Sequence, residues 1–149
     1  MESRSPARVL VVAHRTAATP ALIEAVRRRV GAGPCTFTLL VPASARGLDR
    51  AANPEESGQE EAEAMMEMAV PLLEEATGQP VEGRVGDHDP FAAVQDAVHR
   101  ERFDEVIVST LPTRVSRWLH LDLPRKVASL GIPVTTVTAK GKNSPASSP

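Results

Sequence analysis

Five short apolar runs recur along the chain, at Val9–Ala13, Cys35–Val41, Val81–Val85, Glu105–Ser109 and Val134–Thr138. They are continuous rather than alternating, as in VLVVA and VIV, which suits strands covered on both faces in a parallel sheet. The segments between them carry helix-start signals of one kind. Thr19-Pro20, Asn53-Pro54 and Asp89-Pro90 each place a capping residue before a proline that has no N–H to leave unsatisfied. Glu56 completes a capping-box pattern with Asn53. Gly31 and Gly78 suit helix C-terminal ends. The second helix shows an apolar stripe of Ala62, Met65, Met66, Ala69, Leu72, Leu73 and Ala76, read as core packing against the sheet, with glutamates mainly off it. Pro71 lies inside this helix and removes one backbone bond. The third helix repeats the pattern with Phe91, Val94, Ala97 and Val98.

Strands alternating with helices define an α/β protein with right-handed crossovers, helices on both faces and an open five-stranded parallel sheet. Ligands in such folds bind outside the carboxyl ends of the strands. Those ends carry His14, Arg15 and Thr16, then Pro42, Ala43 and Ser44, then Gly86, Asp87 and His88, then Ser109 and Thr110.

Composition narrows the function classes. The 149 residues suffice for one domain, expected over 7–139, between a polar N-terminus (1–6) and a Ser/Pro-rich tail (140–149) that both read as disordered. A net charge of −2 gives no reason to expect nucleic acid or an anionic membrane as partner. Arg27, Arg28 and Arg29 read as a solvated helix face. The single cysteine, Cys35, excludes an internal disulfide and a cysteine-based zinc site, and falls in a buried strand. The N-terminus lacks the apolar core of a signal peptide, and no apolar run spans a bilayer, so a cytoplasmic location is expected.

Three segments together resemble the universal stress protein family: VLVVAHRT at 9–16, VGDHDPFAAVQDAVHRERFDEVIVST at 85–110 and VASLGIPVTTV at 127–137. The resemblance covers nearly the whole domain. It implies a Rossmann-like fold of the adenine nucleotide alpha hydrolase-like kind, strand order 3-2-1-4-5, and a regulatory, stress-response role in a cytoplasmic, often dimeric protein. ATP-binding members carry G-x-x-G-x9-G-[ST] after the fourth strand. Aligned to that pattern, Ser109 and Pro112 replace the first two glycines, and Leu121-Asp122 replaces the final pair. His14 stands where ATP-binding members usually have aspartate. Pro112 offers no N–H to a phosphate. Asp122 is expected to cap the last helix, Leu123–Leu130, and so to set a carboxylate on its anion-attracting end. The sequence therefore predicts no cofactor, with ATP disfavoured, and no metal.

The second reading is an altered nucleotide- or anion-binding module, with candidate residues His14, Thr16, Gly86, Ser109, Thr110, Arg114 and Arg117, since arginine binds phosphate without a glycine loop. As an enzyme, His14 with Asp87 or Asp89 and Ser109 supplies the ingredients of a triad, but no motif places a nucleophile, and no catalytic residue is assigned. Trp118 reads as packing its loop onto the domain, with a protein partner as the rival use. A homodimer is expected through the last strand, Val134, Thr135, Thr136, Val137 and Thr138, which the expected order leaves at the sheet edge.

Overall fold

The computed structural model describes residues 6–43, 54–111, 117–120 and 122–139, excluding the side chains of 54–57, 117 and 120. The two ends read as disordered, apart from Pro6, and Asn53 with its Glu56 capping box, lie outside the described residues. Five strands, β1 (Ala7–Val12), β2 (Cys35–Pro42), β3 (Val81–Gly86), β4 (Glu105–Thr110) and β5 (Val134–Thr138), form one sheet in the order β3-β2-β1-β4-β5. Every pairing is parallel. The α/β class, the strand order and the edge position of β5 thus follow the sequence expectation.

Helices α1 (Pro20–Ala32) and α2 (Pro54–Thr77) cover one face. There Val9, Val11 and Ala13 meet Leu22, Val26, Ala62, Ala69 and Leu73. Helices α3 (Pro90–Arg100), α4 (Arg117–His120) and α5 (Leu123–Ala128) belong to the other face, where Leu10 and Val12 meet Ala93, Val94, Ala97, Leu123 and Val127. Alternate residues of β1 serve opposite faces, so its unbroken apolar run is what a sheet sandwiched between helix layers requires. Trp118 packs against the α3 and α5 side of the core, which matches its packing role. The methionine stripe also packs inward: Met66 lies so close over β3 that a Cβ on Gly83 would come within 2.6 Å of its Cγ. Leu72, expected in that stripe, is instead 39% exposed. It lies about 100° around the helix from Leu73 and falls off the buried face.

The helix signals act in different ways. Asp89 caps α3 by accepting from Phe91 N at 3.0 Å. Thr19 holds the boundary position of α1 in extended geometry, but its hydroxyl turns back and donates to Thr16 O at 2.9 Å. Gly31 lies inside α1, and Gly33, with φ 151°, ends it. Gly78, with φ 73°, follows α2 as expected. Helix α2 runs through Pro71.

Ion pairs tie the sheet together away from the strand carboxyl ends. Arg8 and Arg84 both bind Glu101 at the end of α3, and Arg29 clasps Glu105 through two bonds of 3.0 and 2.9 Å. The Arg84 hydrogen bond holds the Glu101 carboxyl below the usual carboxylate range.

Gly86 marks the closest approach of β3 to α3. A Cβ there would meet Ala93 Cβ at 2.8 Å and Leu40 Cδ1 at 2.9 Å. Gly86→Ala is expected to lower stability by about 1–3 kcal/mol through overpacking. Urea unfolding checks this, and the double variant Gly86→Ala/Ala93→Gly should cost less than the sum of the two single changes.

Candidate functional site at the carboxyl ends of β1 and β4

β1 and β4 are neighbours whose following helices leave to opposite faces, α1 to one and α4–α5 to the other. The strand order reverses between them, which opens a crevice at their carboxyl ends. The side chains there are unlike the rest of the interior. Of the six buried polar residues among those described, four lie here: His14 (7% exposed), Thr16 (2%), Ser109 (1%) and Thr110 (2%).

Local backbone geometry sets these positions. Beyond β1 the chain turns at once, with Ala17 N donating to His14 O at 3.2 Å and Thr19 N to Thr16 O at 3.2 Å. This turn brings Thr16 back over β4, where its Oγ1 lies 2.6 Å from Ser109 Oγ. Ser109 has the parity of Ile107, on the α1 and α2 face, and Thr110 has the parity of Val106 and Val108, on the α3 and α5 face. Thr110 is tied by its backbone to the edge strand, since Ala139 N donates to its carbonyl at 2.8 Å. Its hydroxyl is buried without a hydrogen-bond partner among the described residues.

The structure thus gathers His14, Thr16, Ser109 and Thr110 from the candidate set. It places Gly86 at the end of β3, in contact range of α3. Arg117 opens α4, with its side chain outside the described part, and Arg114 lies outside the described residues altogether. Asp87 and Asp89 are exposed at the end of β3, where Asp87 pairs with His88 at 3.2 Å and accepts from Asp89 N at 2.9 Å. No three His, Cys, Asp or Glu side chains gather as metal ligands would among the described residues.

The expectation for Asp122 is corrected. It does precede α5, but with φ 61° and ψ 38°, and its side chain makes no capping bond. A capping residue approaches its helix in extended geometry. Asp122 is left-handed because it is the joint between two short helices, its N–H bonding Leu119 O at 3.0 Å and its carbonyl accepting from Lys126 N at 3.1 Å. Its carboxylate lies 3.4 Å from Arg125 at the surface. This carboxylate therefore does not fill an anion site at the start of α5.

Neither family sequence models nor curated protein sequences match the chain. Solved structures do. A universal stress protein in complex with cAMP matches with a TM-score of 0.61 at 18% identity, over 90% of this chain and 98% of that one. A universal stress protein family protein of Arabidopsis thaliana with AMP bound matches at 0.63 and 16% identity, over 95% and 97%. The universal stress protein of Archaeoglobus fulgidus in complex with dAMP matches at 0.58 and 11% identity, over 89% and 98%. The chain has the universal stress protein fold, and the resemblance carried by its three sequence segments holds at that level. The expectation of a fold without cofactor is overturned, because three structures of this fold hold cAMP, AMP or dAMP. That expectation weighed the missing glycines of a polyphosphate loop, Pro112, Asp122 and His14, all judged against ATP, whereas these ligands carry a single phosphate.

A left-handed Asp122 gives a stability order opposite to that of a cap. Asp122→Ala should lose about 1 kcal/mol, since a Cβ is costly in this region and alanine lacks the polar side chain that eases it. Asp122→Ser should fall with it, whereas a capping site would tolerate serine. Asp122→Gly should match or exceed wild type in the same urea titration.

Proposed function

We propose that this chain is a regulatory domain of the universal stress type that binds an adenine nucleotide at the carboxyl ends of β1 and β4. The observation that carries the reading is the concentration of buried hydroxyls and an imidazole at the one crevice where this topology places ligands. The donor set fits a nucleotide with one phosphate. Hydroxyl side chains can bind phosphate oxygens where backbone N–H groups of a glycine loop are lacking, and Arg114 and Arg117, in the segment that follows β4, are the proposed neutralising charges. The site is thus an altered version of the family's. The nucleotides bound by the structures of this fold support the choice of adenine. The role is regulatory and stress-responsive. No helix of the described residues is long and apolar enough to cross a membrane, and a cytoplasmic setting belongs to the same proposal.

Calorimetric titration with AMP, cAMP, dAMP and ATP tests the reading. Binding of at least AMP in the micromolar range is expected. Absence of heat for all four at millimolar concentration, with the protein folded, would overturn it.

The working unit is proposed to be a homodimer. β5 ends the sheet with one open edge, its valines half-buried and Thr135, Thr136 and Thr138 exposed. Pairing two such edges about a two-fold axis covers both sets of backbone groups. Light scattering should give twice the 15.9 kDa chain mass. Thr136→Pro should shift the mass towards the monomer, and a wild-type monomer at micromolar concentration would rule the dimer out.

A further inference from the structure

We infer that the outward face of α2 docks a basic, amphipathic helix of a partner protein, an interaction separate from the strand-end crevice. Met68 (50% exposed) and Leu72 (39%) are the only large apolar side chains exposed among the described residues. They lie four residues apart on the same helix, about one turn, and so share a face. Exposed Ala64 and Pro71 and half-buried Met65 continue the same stripe. The residues that pack on the sheet, Ala62, Ala69 and Leu73, lie about 100–140° around the helix from Met68. Helix α2 is thus apolar on two faces, and the described residues cover one of them. Single exposed apolar residues are ordinary on a surface, but a stripe at helical spacing is a shape that another helix matches.

Charge selects the occupant. Between Pro54 and Thr77 the helix carries eight glutamates and neither lysine nor arginine. Glu60, Glu63 and Glu67 are exposed beside the stripe, and Glu75 is exposed at its end. Like charges three and four residues apart on a helix repel. Helix α1 answers its own charge through the Arg28–Glu24 pair. Among the described residues no glutamate of α2 forms an ion pair, although Arg27 and Arg28 of α1 are exposed. Such a rim repels nucleic acid and anionic lipid. A partner helix with lysine or arginine flanking an apolar face covers Met68 and Leu72 and relieves the glutamate repulsion together. Methionine adapts its shape to such a face. A second copy does not supply this complement: α1 brings arginines without an exposed large apolar side chain, and two α2 faces would set glutamate against glutamate.

The probe is a fluorescent synthetic peptide of about 18 residues, with leucines at i, i+3, i+4 and i+7 and lysines elsewhere, titrated with the full chain by fluorescence anisotropy. One control peptide has the same composition scrambled so that no leucine stripe forms, and a second has glutamate in place of lysine. Wild type should bind the probe with a Kd at or below about 100 μM, and both controls at least about tenfold more weakly. M68Q/L72Q should weaken probe binding about tenfold, with thermal unfolding as the fold control. E60Q/E63Q/E67Q should weaken it at low salt and remove most of its salt dependence. No binding by wild type, equal binding of the scrambled peptide, or unchanged binding by either variant overturns the inference. If M68Q/L72Q lowers the mass of the chain itself in light scattering, the occupant is a second copy, which overturns it too. If M68Q/L72Q does not fold, the single variants M68Q and L72Q replace it and the same comparison decides. None of these outcomes bears on the nucleotide reading, which uses no residue of α2.

Discussion

The burial of β1 is the constraint on which the rest of the molecule depends. From Val9 to Ala13 no residue is more than 1% exposed, and β1 is paired on both edges. Each of the three valines and Leu10 contributes about 1.5–3 kcal/mol by leaving water, and alternate ones are claimed by opposite helix layers. A polar substitution in this run would disturb both layers at once. The same strand also delivers the chain to the crevice, because its last buried apolar residue, Ala13, is followed directly by the turn that carries His14 and Thr16. Core and site are thus consecutive stretches of the chain, a strand and the turn that leaves it.

The sheet divides its polar chemistry by position. Charged pairs involving Arg8, Arg29, Arg84, Glu101 and Glu105 tie strands to helices away from the crevice, each with part of its side chain in water. At the carboxyl ends of β1 and β4 the buried polar groups are hydroxyls and an imidazole. Hydroxyls are cheaper to bury than ions and donate or accept as needed. A site built of them can be enclosed by the fold without a permanent counter-ion.

The fold was legible in the sequence because its signal is periodic and repeated. Continuous apolar runs identified all five strands, and proline after a capping residue located the starts of α1 and α3. What the sequence did not reveal is how the caps work. Thr19 and Asp122 occupy boundary positions, yet the Thr16 carbonyl captures one side chain, and a left-handed joint sets the backbone of the other. Both depend on the turn that comes before, which residue type does not encode. The four-residue α4 is too short to show a period. The strand-end cluster was partly legible, since topology alone points to His14, Thr16, Ser109 and Thr110. That Thr16 would fold back onto Ser109 required the geometry of the turn. The expectation about cofactors failed for a related reason: part of it rested on Asp122 as a cap, which its left-handed backbone rules out, and the rest judged the crevice by the requirements of ATP alone.

The Thr16–Ser109 pair has a consequence of its own. Two hydroxyls 2.6 Å apart share one hydrogen bond, and either oxygen can supply the proton. The second proton must point elsewhere, from whichever residue is accepting. Reversing the bond exchanges the outward-facing donor between the two side chains without moving a heavy atom. The crevice therefore holds a polarity that is set by rotation about two C–O bonds rather than by the backbone, and an incoming molecule can choose its sense.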